Sequence, residues 1–333
     1  RAGDLGALRE EFSRRLREAF AFFETQVAAG RIAWYGVSSN TAVLRPDDPE
    51  ATSLSRMLEA AAFAGGPGHH FRVLQFPLNL FESGALLTPN TGPDAAHAVL
   101  DLAAEAGIGV LTNRPLNAFA GQTVIRLADV SELDTMVAPP LDEALGQLGV
   151  LEEEFRAAIG SRLRVPEGGV SPDEWFRWAD QLRAMSGRIQ GLDHWRQIEE
   201  DMISPAVGQL VQMLSQSLRG PILESWQAWL ERYLPALDLL LQSFRIRAAR
   251  QSQATSNRVA AALNPHLPLA RRGESLSRKA LWVLTGTPGV SAVLLGMRHP
   301  DYVSDGMEVL KWPPPGNVRK VYAGVAEMRF DAE

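Results

Sequence analysis

Four strand-then-helix units constrain this chain more than any other feature, because each strand closes on small or polar residues. Those ends are Val37-Ser38-Ser39-Asn40, Gln75, Asn113-Arg114-Pro115 and Gly296-Met297-Arg298. Strand followed by helix, repeated, builds a parallel sheet. In a closed parallel barrel the C-terminal strand ends share one mouth, so side chains far apart in sequence line one pocket. Four units make half of such a barrel, and the chain reads as a second half whose first half is absent. The first residue is Arg rather than Met, which adds to the expectation of a fragment or processed chain.

Composition narrows the function. The 333 residues suggest two domains, and a formal charge of -6 argues against a nucleic-acid surface. Cysteine is absent, which excludes disulfides, thiolate nucleophiles and Cys-ligated metals. No apolar run approaches the roughly eighteen residues of a spanning helix, and the N-terminus lacks a signal-peptide layout, so a cytoplasmic location and no membrane partner are expected.

Apolar residues at helical spacing predict a helix over 8–29, and the run 32–37 predicts a strand buried on both faces. A helix over 52–64, a strand over 72–76, a helix over 93–106 and a strand over 108–112 follow. The period then breaks. Apart from a short strand at 123–125, the chain to Ser275 predicts helices over 141–163, 172–189, 195–218 and 222–263, the last bent at Pro235. Five tryptophans (Trp175, Trp178, Trp195, Trp226 and Trp229) lie there, and such apolar stripes need a packed helical bundle. The period resumes with a helix over 276–285, a strand over 291–295 and a helix from Pro300, leaving a tail over 318–330 without a place. The expected organisation is barrel units over 1–117, a helical insertion over 118–275, the last barrel unit over 276–312 and a tail over 313–333.

Gly30-Arg31-Ile32-Ala33-Trp34-Tyr35-Gly36-Val37-Ser38-Ser39-Asn40 resembles the aldo/keto reductase signature around the fifth barrel strand. Val73 to Leu80 resembles the sixth strand, with its Gln and following Asn. Gly107 to Leu116 resembles the seventh with its Pro-Leu, and Val290 to Arg298 the eighth. The resemblance covers about half the chain. The fold class it implies is α/β, a partial (βα)8 TIM barrel of strands five to eight with an inserted all-helical subdomain.

The resemblance implies an NADP-dependent oxidoreductase that passes a hydride between NADPH and an aldehyde or ketone, with the cofactor extended across the barrel mouth. A carboxamide offers a donor and an acceptor, which a strand-end hydroxyl and the two-faced Gln75 can fix. By resemblance Ser38 takes the family's Ser position, and Ser39 stands where its Asn usually is. Asn40 comes one place later, so either can make that contact. Asn113 occupies a position where many members stack an aromatic on nicotinamide, followed by Arg114, Pro115 and Leu116. Gly296, Met297 and Arg298 fall where the family binds the adenosine 2′-phosphate, and a guanidinium suits a phosphate dianion. Tyr302 and Gly306 replace a Gln and an Asn near the adenine.

The family's catalytic Asp, Tyr, Lys and His come from the first four strands, and none is present here. The fragment is therefore expected to bind part of a cofactor and not turn over. Expected partners are a small carbonyl substrate and a homo-oligomeric contact through the helical insertion, which enters on the side of the active-site loops.

Plainer readings stand beside these. Ser38, Ser39 and Asn40 serve equally as a strand end and helix cap. His69-His70 lacks metal-site spacing. Glu152-Glu153-Glu154 reads as a solvated helix face, and Arg245, Arg247, Arg250 and Arg258 as a basic face toward water or acidic neighbours. Gly36 to Asn40 is not a nucleophile elbow. A rival reading is a non-catalytic cofactor-sensing or regulatory barrel whose insertion binds a partner protein. A third is another barrel enzyme holding a phosphate-bearing substrate.

Overall fold

A computed structural model describes residues 5–120, 123–130, 133–135, 137–164, 168–326 and 328. The chain divides into two compact units, residues 1–129 with 256–333, and residues 130–255. The second unit is narrower than the expected insertion over 118–275. The difference lies at both ends. A two-stranded hairpin buries Ala118, Ile125 and Leu127 in the core of the first unit, and Val259 and Leu263 are buried there too.

In the first unit, α1 (Leu5–Ala28), β1 (Tyr35–Ser38), α2 (Leu54–Gly65), β2 (Phe71–Pro77), α3 (Gly84–Leu87), α4 (Val99–Glu105) and β3 (Gly109–Asn113) follow in order. The hairpin is β4 (Asn117–Ala120) and β5 (Thr123–Arg126). The expected helix over 93–106 splits because Asp94 and Ala95 take left-handed φ values of 53° and 51°, which α-helix cannot continue.

The second unit holds α5 (Leu141–Ala158), α6 (Trp178–Met185), α7 (Leu192–Gln197), α8 (Ser204–Ser217) and most of α9 (Pro221–Leu263), which runs through Pro235 as one element. The chain ends with α10 (Leu276–Thr285), β6 (Ala292–Val293), α11 (Pro300–Glu308) and α12 (Val318–Ala326). The unplaced tail is thus largely a helix. It buries Val318, Val321, Tyr322 and Val325, and the Tyr322 hydroxyl lies 3.1 Å from that of Thr287.

The four long-range strands form one parallel sheet in the order β1-β2-β3-β6. The sheet is open, with β1 and β6 as its edges. One face is packed. Tyr35 and Phe71 meet Phe20 and Phe23 of α1, with ring centroids 5.0 to 5.5 Å apart for three of the pairs, and Leu74, Phe76 and Val110 are buried. Register puts Gly36, Ser38, Val73, Gln75, Leu111 and Asn113 on the other face, none of them fully buried. An all-parallel sheet normally has both faces covered.

The core of the helical unit is aromatic. Phe155, Phe176, Trp226, Trp229 and Tyr233 form one cluster, and Trp195 stacks on Phe244 at 4.9 Å. Glu152 corrects the expectation of a solvated acidic face, because it is only 2% exposed. Its carboxylate accepts from the backbone N–H groups of Trp178 and Ala179 at the start of α6, and from the Tyr233 hydroxyl. Residues on distant segments create this burial, and the local charge run does not reveal it.

Burial pushes the Glu152 carboxyl up to about 7, against the hydrogen bonds that favour its charged form. A folded-state pKa above the unfolded value contributes stability that is complete below about 4.5 and lost as pH rises through about 7. We therefore expect the stability difference between the native protein and Glu152→Gln to shift by roughly 3 kcal/mol between pH 4 and pH 9, with the native chain losing at high pH. Denaturant midpoints of both proteins across that range measure it, and parallel curves would refute it.

Candidate functional site

Because all four strands are parallel, their C-terminal ends lie on one side of the sheet. Three backbone segments leave from that side, and each is anchored differently. After β1, the Ser39 hydroxyl lies 2.7 Å from Thr52 and 3.2 Å from Thr41, closing the loop before α2. After β2, Asn79 is fully buried: its carbonyl accepts from the N–H of Phe81 and Glu82, and its amide donates to Glu82 and to the carbonyl of Arg114. After β3, Arg114 takes a left-handed φ of 56°, donates to Glu82 at 3.0 Å and lies 4.4 Å from the centroid of Phe119. These bonds hold the second and third loops together.

Register then decides which side chains meet. Ser38 pairs with Gln75 across β1 and β2, and the Gln75 amide donates to the Ser38 hydroxyl at 3.1 Å. The Ser39 N–H donates to the Gln75 carbonyl. One step further out, the Asn113 amide donates to the Asn40 carbonyl at 3.4 Å. Five of the expected residues thus gather at the ends of β1, β2 and β3, four of them in two side-chain pairs and Ser39 through its backbone N–H.

Ser39 and Asn40 differ in their surroundings. Ser39 spends its hydroxyl within the loop, while Asn40 stands exposed opposite Asn113.

The other expected residues differ in kind. Arg114 is a loop clamp committed to Glu82 and Phe119. Pro115 is buried, and Leu116 packs on the core of the first unit. Gly296, Met297 and Arg298 follow β6 at the far edge of the sheet and are exposed, and Arg298 has no ion pair among the described residues. Tyr302 is 56% exposed and packs beside His299, 5.8 Å between ring centroids. No hydrogen bond among the described residues links Arg298 or Tyr302 to the Ser38–Gln75 pair.

A nicotinamide carboxamide needs partners of both kinds. Ser38 accepts from Gln75, which leaves its own O–H to donate. The Asn113 side-chain Oδ1 is buried with no partner among the described residues, and the Gln75 side-chain Oε1, unlike its backbone carbonyl, is not engaged by any described residue. One free donor and two free acceptors at adjacent strand ends therefore fit an amide. Arg298, which has no ion pair among the described residues, follows β6 on the same side of the sheet.

Sequence reasoning missed the roles of Asn79 and Glu82 in organising this rim. Their signal is the compact Asn79-Leu80-Phe81-Glu82 turn after an apolar strand, in which an Asn side chain satisfies the backbone two and three residues on.

His69 and His70 sit beside Glu24 and Arg72. The His70 ring and N–H both bond Glu24, and the described residues contain no cluster of three or more His, Asp and Glu side chains placed to hold a metal. No helix among the described residues is long and apolar enough to cross a membrane. Comparison with family models, curated proteins and solved structures gives no match.

Proposed function

We propose that this chain is the cofactor-holding half of an NADP-dependent aldo/keto reductase, and that its parallel sheet is the second half of an eight-stranded barrel. The observation that carries the reading is the Ser38–Gln75 pair beside Asn113, with complementary amide-binding atoms left free. The one uncovered face of an all-parallel sheet and its two open edges support the barrel, since closure would cover the face and pair both edges.

When bound, NADPH supplies a hydride to an aldehyde or ketone carbon. Ser38, Gln75 and Asn113 would hold the carboxamide and so fix which ring face meets the substrate. Arg298 would take the 2′-phosphate through two parallel charged hydrogen bonds. The clamp of Asn79, Glu82 and Arg114 keeps this rim in place before the ligand arrives.

Proton donation to the forming alkoxide belongs to groups outside these residues. Tyr35 and Tyr322 are buried in the core of the first unit, and Tyr233 in the helical unit, and desolvation raises all three phenols above the usual range. They are the reverse of a tyrosine tuned to act as an acid.

Titration with NADPH, NADH and ribose 5-phosphate tests the reading. NADPH should bind at least tenfold tighter than NADH, and Arg298→Ala should abolish that preference. Tight binding of the sugar phosphate alone would favour a different barrel enzyme.

A further inference from the structure

Two grooves on the helical unit meet at Arg247. The smaller, about 290 Å³, runs past Ser186, Ile189, Phe244 and Gln251. The larger, about 720 Å³, lies between the segment Val137-Ala138-Pro139-Pro140-Leu141 and the α9 residues Ser243, Ile246, Arg247 and Arg250. The wall is pinned to the helix, because the Ser243 hydroxyl donates to the Pro139 carbonyl at 2.9 Å. Prolines 139 and 140 carry no backbone N–H, so that wall is apolar and stiff. Hydrogen-bond donors must come mainly from the helix side.

They come from two arginines. Arg247 and Arg250 sit three residues apart, on one face of α9, and both are exposed. Neither has an ion pair or hydrogen bond among the described residues. Several other arginines of this unit are paired, Arg156 with Glu153, Arg232 with Glu154 and Arg245 with Glu199. Acidic residues outnumber basic ones in the segment 130–255, so two unpaired cations beside an apolar wall reverse the local sign. Among the described residues, Asp142 is the one carboxylate lining either groove.

We propose that this groove binds a small organic monoanion, a carboxylate on an acyl or aryl body, with its head on Arg247 and Arg250 and its body along Val137 to Leu141 and Ile246. Two guanidinium groups offer parallel charged hydrogen bonds to a carboxylate. Asp142 on the same lining repels a dianion more than a monoanion, which disfavours a phosphate head. The volume is that of small-ligand sites. The inference is independent of the cofactor reading, because every residue in it belongs to the helical unit.

Calorimetric titration of the whole chain with octanoate, octanol and inorganic phosphate tests it. Octanoate should bind saturably and at least tenfold tighter than either comparison compound. The double variant Arg247→Ala/Arg250→Ala should weaken it at least tenfold, and Arg232→Ala should leave it unchanged. A second variant, Val137→Asp, places a negative charge on a side chain 84% exposed. It should weaken octanoate with no change in the thermal transition, and it decides the matter if the double variant unfolds. Absence of saturable octanoate binding, equal binding of octanol or phosphate, or indifference to these substitutions would overturn the proposal.

Discussion

Phe176→Ala is expected to destabilise the helical unit by about 4 kcal/mol, within the range for deleting a buried aromatic ring. Phe176 is 1% exposed, and its ring centroid lies 4.8 Å from Phe155, 5.0 Å from Trp229, 5.1 Å from Tyr233 and 5.8 Å from Trp226. Alanine would leave four rings facing a void they cannot fill without moving the helices that carry them. The backbone offers no relief, since φ at Phe176 is 47° and alanine bears the same left-handed cost. That the sequence places phenylalanine in such a conformation shows how much the ring's packing outweighs the strain. Guanidinium unfolding followed by tryptophan fluorescence measures the loss; a change under about 1 kcal/mol would show that the cluster repacks freely.

Gly36→Ala is expected to cost roughly 3 kcal/mol and to weaken any ligand at the strand ends. A Cβ at this position would lie 2.5 Å from the Val73 carbonyl oxygen and 2.8 Å from the Val73 Cβ. Both belong to β2, the neighbouring strand, whose register against β1 shifts between Tyr35 and Gly36. Backbone in a sheet moves only as a unit, so relief of the clash must separate β1 from β2. Ser38 and Gln75 are two residues along on the same strands. Gly109→Ala is the matching control, because its nearest contact would be an ordinary 3.5 Å. It should change stability by less than about 1 kcal/mol. Equal effects at the two glycines would contradict this picture of the sheet.

Much of the first unit was legible because its signals are local. The apolar period of α1, the apolar runs of β2 and β3 and the bounds of α10 follow from spacing and from Gly or Ser punctuation, as at Gly107, whose φ of 65° turns α4 into β3. The run 32–37 misleads: β1 starts only at Tyr35, Ile32 and Trp34 before it are exposed, and Gly36 and Ser38 within it are exposed as well, so it is not a strand buried on both faces. The expected strand over 291–295 shrinks to Ala292–Val293 because it is an edge, bonded to β3 on one side only. Helix α12 carried its apolar stripe at Val318, Val321, Tyr322 and Val325 in plain view.

The site was legible in part. Motif order brought Ser38, Gln75, Asn40 and Asn113 into one list, but only strand register decides that Ser38 meets Gln75 while Asn40 meets Asn113. Arg114 could face a cofactor or pair with a carboxylate, and the structure pairs it with Glu82, 32 positions away, which the sequence alone does not decide. Glu152 looked solvated for the same reason: Trp178, Ala179 and Tyr233 enclose it from other segments.

In the proposed function, groups from separate strands converge on one dinucleotide. Side-chain amide resonances of Gln75 and Asn113, followed together with the guanidinium signal of Arg298 while NADPH is added, test it most directly. All three should move along one saturation curve, and Ser38→Ala should weaken binding at least tenfold. Shifts confined to Arg298, or three signals that stay still while NADPH binds elsewhere, would contradict it.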